Sequence, residues 1–392
     1  MERPTLNMIP PHTAWLSDAG VKAVCTAVSA EGTPVYMVGG CVRDAILGIN
    51  GSDVDMATPA TPQEVCRLAE AAGLKVVPTG LDHGTVTVVA GGTGFEVTTF
   101  RKDVATDGRR AVVAFSKDIL DDARRRDFTL NALYATQDGQ IVDPLGGLQD
   151  CLARRIRFIE SAEQRIREDY LRILRFFRFH AWYANPSDGF DPDALAAIAA
   201  NTDGLARLSA ERVGQEICRL LAAPEPTRAL ASMRQTGVLP VLLPGSDTTL
   251  VGPVVHLEAE LGFEPDWRLR LAALGGDAVP DRLRLRNRDA KTLARLAEVM
   301  RDMMPEPEVA YRHGFQMAAH TLIMRAALAQ KSVDRTALTA LKKASDAQLP
   351  VSAKDFMQRF TGKALGAHLK SVEKQWIASG FRLTREELMK LA

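Results

Sequence analysis

Two acidic residues follow a glycine pair closely enough for all four to belong to one reaction centre. The acids are Asp53 and Asp55, and the glycines, Gly39 and Gly40, end a short apolar segment. Glycines at a strand end let the backbone approach a phosphate and present the amides of the next helix. Neighbouring carboxylates repel each other unless divalent ions bridge them, and a pair of such ions serves phosphoryl transfer. Because oxygen ligands suit Mg²⁺, the pattern predicts a site that uses two Mg²⁺ ions during catalysis.

Both signals also have plainer interpretations. The glycine pair alone fits a tight strand-to-helix connection, and Gly51-Ser52-Asp53 is also typical of a turn. A strand over 54–57 would place Asp53 and Asp55 on one face, with the intervening valine in the core. Glu96, in a second strand-like segment, is the best-placed third carboxylate. The alternative for Glu96 is an outward side chain paired with a surface arginine.

Cationic residues with amide or acidic neighbours form the second set of candidates. Arg43 follows the glycine pair and is expected over a triphosphate. Residues 125–133 place two arginines, an acid and an amide at the start of an expected apolar helix. We expect Arg126 to contact a phosphate, and Asp127 and Asn131 to contact the sugar or to order the site. The sequence leaves those roles undivided, and Asp127 also fits a helix cap.

Residues 168–178 predict a helix with an acid and arginines three residues apart on one face. There Asp169 could accept from an exocyclic amine while Arg172 donates to the ring nitrogen beside it. Cytosine and adenine share that pattern, whereas guanine and uracil would leave buried groups unpaired, at roughly 1–3 kcal/mol each. The pattern predicts selection of C and A without a nucleic-acid template, and a salt-bridged helix face is the alternative.

These candidates need an α+β domain to position them. Periodicity and turn residues predict a mixed sheet with flanking helices up to about residue 150, followed by an all-helical remainder. The expected helices span 14–30, 41–48 and 62–72, and the expected strands span 34–38, 54–57, 74–78, 85–90 and 95–100.

Composition places few limits on the partner. The 392 residues carry a net charge of +1, so affinity for RNA would come from local basic clusters. Residues 151–180 and 353–392 each hold eight basic and four acidic residues, and a solvated helix face is the plainer interpretation of either cluster. Five unpaired cysteines and the lack of a long apolar segment predict a soluble cytoplasmic protein with reduced thiols.

From Val35 to Phe179 the chain resembles the class II tRNA nucleotidyltransferases and bacterial poly(A) polymerases of the polymerase beta superfamily. The resemblance rests on an ordered set of segments: GGCVRD, DVD, TGLDHGTVTV from Thr79, EVTTFR, RRDFTLNAL, DPLGG from Asp143 and EDYLRILRFFRF from Glu168. A shorter match, from Glu211-Arg212 to Glu216, is similar to the later neck motif of that family.

The resemblance implies roles for the individual residues. The glycines and Arg43 would hold the triphosphate, the Asp53-Asp55 pair would bind Mg²⁺, and Asp169 and Arg172 would act as a protein template. Further nucleotide contacts would come from Arg126, Arg175 and Arg178. It also implies a nucleotidyltransferase head over 31–150 after an N-terminal helix (1–30), a helical neck (151–222), a body (223–305) and a tRNA-binding tail (306–392).

The activity implied is addition of C, C and A to the tRNA acceptor end from CTP and ATP, with no membrane or protein partner indicated. The segment from Thr79 and the predicted mobile loop over 101–117, with Asp107-Gly108-Arg109, favour the full CCA product. CC-adding, A-adding and poly(A)-adding enzymes remain alternatives. The helical half disfavours a small-molecule nucleotidyltransferase, and the intact acids disfavour a non-catalytic RNA-binding protein. The glycine spacing disfavours a dinucleotide-binding dehydrogenase.

Overall fold

The computed structural model of the chain describes residues 7–49, 51, 53–81, 84–107 and 110–391. The chain divides into two compact units. The first comprises the residues up to Glu216 together with 228–242, and the second comprises 217–227 together with the residues from Leu243 onward. The finer division into an N-terminal helix, head, neck, body and tail stays a prediction.

A mixed sheet forms the framework of the first unit. Its strands are β1 (Tyr36–Val38), β2 (Met56–Thr58), β3 (Lys75–Gly80), β4 (Thr85–Ala90), β5 (Thr93–Thr99), β8 (Tyr134–Ala135) and β9 (Ile141–Val142). They lie in the order β3-β4-β5-β2-β1-β8-β9. The β2–β5 pair is parallel and the other five pairs are antiparallel. The predicted mixed sheet and α+β class are therefore confirmed.

A separate hairpin occupies the segment predicted as a mobile loop. It consists of β6 (Arg101–Asp107) and β7 (Arg110–Phe115), which pair antiparallel. Gly108 and Arg109, which belong to the Asp107-Gly108-Arg109 prediction, lie outside the described residues, as do Asp82 and His83 of the segment from Thr79.

Short helices flank the sheet and continue beyond it. They are α1 (Ala14–Ser17), α2 (Ala19–Val28), α3 (Gly40–Leu47), α4 (Pro62–Ala71), α5 (Ile119–Arg124), α6 (Leu148–Leu152), α7 (Ala162–Glu168), α8 (Leu171–Tyr183), α9 (Pro192–Ala199), α10 (Ala210–Leu221), α11 (Thr227–Gln235) and α12 (Val238–Leu242). Two 3-10 helices accompany them, at Thr129–Asn131 and Thr202–Arg207. After residue 150, the described part of the chain contains helices and no strands, as predicted.

Local chemistry explains where two of the predicted helices begin and end. Thr61 and Glu64 form a reciprocal capping box, with Pro62 at the first position of α4. Gly48 ends α3 in the left-handed region, with φ of 70°. The predicted helix over 14–30 is wrong in one respect, because Asp18 divides it. The Asp18 carboxylate accepts from the Val21 amide at 2.8 Å and starts α2 as a new helix.

The α-helices and the 3-10 helix described in the second unit are its only regular secondary structure in the described residues. Its helices are α13 (Val251–Leu261), α14 (Trp267–Leu274), α15 (Val279–Arg282), α16 (Asn287–Arg301), α17 (Glu306–His313), α18 (Phe315–Ala329), α19 (Arg335–Ser345), α20 (Gly362–Ala378) and α21 (Arg385–Lys390), with a 3-10 helix at Ala353–Asp355. One core cluster joins α16 to α19, and another, around Phe356 and Trp376, joins α20 and α21. None of the described helices is long and apolar enough to span a membrane.

Candidate active site

The glycine turn connects β1 to α3. Gly39 has φ of 73° and ψ of −116°, a conformation that favours glycine. A Cβ atom there would lie 3.3 Å from Nη1 of Arg126. The turn therefore needs glycine both for its backbone conformation and for the close approach of that guanidinium.

Arg43, on α3, is buried and fully engaged. Its guanidinium donates to Oδ1 of Asp44 at 2.7 Å, to Oδ1 of Asn131 at 2.7 Å and to the Tyr183 hydroxyl at 2.8 Å. It also lies over the Tyr183 ring, 4.0 Å from the centroid. The side chain is fixed at the edge of the cavity described below, and its predicted phosphate contact stays a prediction.

The strand prediction for the acidic pair is wrong. β2 begins at Met56, so Asp53 and Asp55 precede it, and Val54 is half-buried rather than in the core. Both acids are exposed. The Asp55 carbonyl accepts from the Val38 amide at 2.9 Å, which holds the segment against β1. This connection, rather than alternation along a strand, positions the pair.

Glu96 reaches the same place from β5. The parallel register pairs Met56 with Val97, which brings the preceding residues, Asp55 and Glu96, side by side. Desolvation raises the pKa of the Asp55 carboxyl group. The negative charges of Glu96 and Asp53 raise it further, and the positive charge of Arg126 lowers it. A cation bound between these carboxylates would reduce their mutual repulsion.

A cavity of about 730 Å³ is lined by Asp53, Asp55 and Glu96. Within the described residues, no group of three or more His, Cys, Asp or Glu side chains is arranged to hold a metal ion. The carboxylate oxygens nonetheless have the chemistry that Mg²⁺ prefers, and Mg²⁺ commonly completes its coordination with water and substrate phosphates. The donor set fits such an ion.

A second cavity, of about 400 Å³, is lined by arginines. It contains all ten residues predicted to bind nucleotide, together with Val38, Asp55, Arg125 and Phe179: Gly39, Gly40, Arg43, Arg126, Asp127, Asn131, Asp169, Arg172, Arg175 and Arg178. Asp55 lines both cavities. The structure thus brings the predicted residues together around one carboxylate.

Arg126 is held by two side chains that sequence reasoning missed. Its guanidinium donates to Oδ2 of Asp122 at 3.0 Å and to the Tyr134 hydroxyl at 3.3 Å, and that hydroxyl donates to Asp122 at 2.8 Å. Burial opposes ionisation of Asp122, but Arg126 and Arg125 outweigh it and lower its pKa. No spacing signal marked these partners, because Asp122 lies on α5 and Tyr134 on β8.

The helix predicted after Arg126 is instead the short 3-10 helix Thr129–Asn131, which Asp127 does not cap through its side chain. Asp127 accepts from the Phe128 amide and from Nδ2 of Asn131 with one oxygen, and from Arg175 at 2.6 Å with the other. Burial opposes its ionisation, but Arg175 and Asn131 outweigh it and lower the pKa of Asp127. Asp127 therefore holds Arg175 in place, and its predicted role toward the nucleotide stays a prediction.

The continuous helix predicted over 168–178 is also wrong, because α7 ends at Glu168 and α8 begins at Leu171. Asp169 lies between them in an extended conformation. Its carboxylate accepts from Arg212, on α10, at 2.6 Å. Arg172 instead donates to Glu168 at 2.6 Å and to two backbone carbonyls.

Arg178 donates to Glu216 at 2.6 Å and lies over the Phe179 ring. Arg172 and Arg178 therefore form ion pairs, as the alternative of a salt-bridged helix face predicts. Both arginines also line the second cavity, where a ligand could contact them. Arg212 belongs to the short neck motif from Glu211 to Glu216, and that motif was the sequence pattern that could have identified it as a partner of Asp169.

Comparison with known proteins shows the family to which the chain belongs. The model of the poly A polymerase head domain matches residues 35–157, and that of a probable RNA and SrmB-binding site of polymerase A matches residues 189–250. CCA tRNA nucleotidyltransferase 1, mitochondrial, of Mus musculus is 32% identical over 98% of this chain and 92% of its own. The chain belongs to the CCA tRNA nucleotidyltransferase family.

Further members of the family share both sequence and fold with this chain. A CCA-adding enzyme of Geobacillus kaustophilus is 33% identical over 87% of either chain. The Bacillus stearothermophilus CCA-adding enzyme, solved in complex with CTP, aligns with a TM-score of 0.74 at 26% identity, covering 95% of each chain. The family resemblance and the fold inferred from the sequence are confirmed.

Proposed function

We propose that this protein adds C, C and A in turn to the 3′ end of tRNA, consuming CTP and ATP and releasing pyrophosphate. The observation that carries the proposal is the meeting of an arginine-lined cavity and an acidic one at Asp55. Nucleotidyl transfer needs a triphosphate on one side of the metal-binding carboxylates and a hydroxyl on the other. The choice of tRNA as the acceptor, and the order in which C, C and A are added, are inferred from the family to which the chain belongs.

In the arginine cavity, cationic side chains bind the triphosphate. Arg126 is aimed there by Asp122, and Arg175 by Asp127. Fixed guanidinium groups stabilise negative charge without reorganising, which favours the transition state of phosphoryl transfer. The acceptor 3′ oxygen attacks the α-phosphorus, that oxygen loses its proton, and the bond to the pyrophosphate oxygen breaks.

Base selection belongs to Asp169 and Arg172, supported by Arg212. Arg212 donates to Oδ2 of Asp169 at 2.6 Å and so orients the carboxylate, which accepts a hydrogen bond from the exocyclic amine of C or A. Arg172 is oriented by Glu168 and two carbonyls, and donates to the ring nitrogen. The paired charges keep the template rigid.

Asp53 and Asp55 would hold Mg²⁺, with Glu96 as the neighbouring carboxylate. Two such ions would serve the reaction, one by activating the attacking hydroxyl and the other by neutralising the leaving pyrophosphate. The division into head, neck, body and tail, with the tail binding tRNA, remains part of the proposal, as does a cytoplasmic location, which rests on the sequence alone.

The test uses three tRNA transcripts, ending before CCA, after the first C and after CC, with CTP and ATP supplied singly and together in the presence of Mg²⁺. Products are sized on a sequencing gel. Three nucleotides added to the shortest acceptor, and no more, support the proposal. Arrest after CC, addition of A alone to the CC-ended transcript, or long A tails would instead identify the CC-adding, A-adding or poly(A)-adding alternatives.

A further inference from the structure

A short segment of the chain, residues 201–212, contacts the junction between α7 and α8. It contains a 3-10 helix and the start of α10. Its contacts begin before the junction, where Arg167 donates to Oδ1 of Asn201 at 3.3 Å. At the junction itself, Asp169 accepts from Arg212. The segment therefore helps to set where the junction lies.

Tyr170, the next residue of the junction, packs directly on the backbone of this segment at Gly204. A Cβ atom at Gly204 would lie 2.0 Å from both Cδ1 and Cε1 of the Tyr170 ring, which leaves no room for a side chain. Gly204 is buried and does not adopt the left-handed conformation that favours glycine. The ring of Tyr170, rather than the backbone conformation, therefore requires glycine at this position.

We infer that Tyr170 is a positioning residue for base selection, because its ring, seated on Gly204, sets the position of Asp169. The inference rests on the proposed function, in which the Asp169 carboxylate accepts a hydrogen bond from the exocyclic amine of C or A. Tyr170 follows Asp169 directly, so a displacement of the Tyr170 backbone would also displace Asp169. A misplacement of about 1 Å at a reaction site can cost a factor of about 100 in rate.

The backbone of Asp169 needs a restraint of its own. The residue has φ of −152° and ψ of 106°, an extended conformation outside both α7 and α8. Its carboxylate accepts from the Leu171 amide at 3.0 Å and from Arg212, and both contacts orient the side chain. The packing of the Tyr170 ring on Gly204 restrains the main chain beside it, because close-packed groups cannot shift without moving their neighbours.

The inference predicts that one methyl group at Gly204 alters the choice of nucleotide. Gly204→Ala places that group where the Tyr170 ring lies, and Gly189→Ala is the matched control, because a Cβ atom there would meet no atom within 4 Å. We expect Gly204→Ala to lower the ratio of the kcat/KM values for CTP and UTP by about tenfold. The ratio is measured on a tRNA transcript ending before CCA, and Gly189→Ala should leave it unchanged.

Variants of Tyr170 keep the result readable if Gly204→Ala does not fold. Tyr170→Ala removes the ring and should also lower the ratio by about tenfold, whereas Tyr170→Phe, which keeps the ring, should retain most of it. When Tyr170→Ala is combined with Gly204→Ala, the loss should match that of Tyr170→Ala alone, because the contact is already absent.

An unchanged ratio in Tyr170→Ala, or in a folded Gly204→Ala protein, would overturn the inference. Losses that multiply in the double variant would also overturn it, since the two residues would then act independently. A residue that served only stability would slow the use of CTP and UTP equally. If the unmodified protein does not prefer CTP to UTP, the proposed base selection fails; if it does and the variants keep that preference, only this inference fails.

Discussion

Arginine–carboxylate pairs occur in both units of the molecule, but they are built differently. In the second unit Arg270 and Glu258, each with a side chain 2% exposed, are joined at 2.6 Å, and the guanidinium also donates to the Leu221 and Ala223 carbonyls. In the first unit, Arg126 and Arg175 are paired to buried acids yet line a cavity. A closed pair neutralises its own buried charges, whereas a pair with one open side can hold a charged ligand in a fixed place.

The largest loss of activity is expected at the carboxylate that both cavities share. Asp55→Asn should lower the rate of CMP incorporation by about a thousandfold or more, because the charge that holds a divalent cation is worth several kcal/mol in the transition state. Incorporation is measured in single turnover, with Glu70→Gln, an exposed acid on α4, as the control. Filter binding of tRNA should be unchanged, and its loss would contradict the metal role.

The closed pair should affect stability rather than chemistry. Arg270→Met leaves Glu258 buried and unpaired, which should lower the free energy of unfolding by about 3–5 kcal/mol in urea titration. Glu258→Leu added to that variant should restore much of the loss, because no buried charge then remains. If the double variant is as unstable as the single one, the loss does not come from an unpaired buried charge at Glu258.

The template residues should affect the choice of nucleotide. Asp169→Ala removes the acceptor for an exocyclic amine, so the preference for CTP over UTP should fall by about 5- to 150-fold, the equivalent of one lost buried hydrogen bond. The ratio of kcat/KM values measures this preference. Glu163→Ala, in an exposed ion pair on the preceding helix, is the matched control and should leave it unchanged.

The smallest effect is expected from the support of Arg126. Tyr134→Phe keeps the buried ring but removes its hydrogen bonds with Asp122 and Arg126. The KM for CTP should rise about two- to tenfold, the value of one hydrogen bond, with little change in the melting temperature. Tyr36→Phe, in the same core cluster, is the control. A large fall in stability with an unchanged KM would show that Tyr134 is only structural.

Local sequence signals predicted the elements well where one residue decides the outcome. Thr61 and Gly48 mark a helix start and a helix end, and both act as expected. The errors at Asp18 and Asp169 have one cause. Apolar periodicity ran through both positions, but each side chain accepts a hydrogen bond from a backbone amide two or three residues ahead and breaks the helix.

The candidate site was predictable in its membership but not in its connections. The motifs named the residues that now line the arginine cavity, because each motif is local in sequence. The partners of those residues come from distant elements, as with Asp169 and Arg212, 43 positions apart. Such pairings depend on tertiary packing, which no single-sequence pattern encodes.

The most direct measurement is kcat/KM for each of the four nucleotides, supplied alone with Mg²⁺, at each of the three acceptor positions. The account predicts CTP at the first two positions and ATP at the third, with UTP and GTP poorer by about a hundredfold or more. Comparable use of UTP or GTP, or of ATP at every position, would contradict a protein-templated addition of CCA.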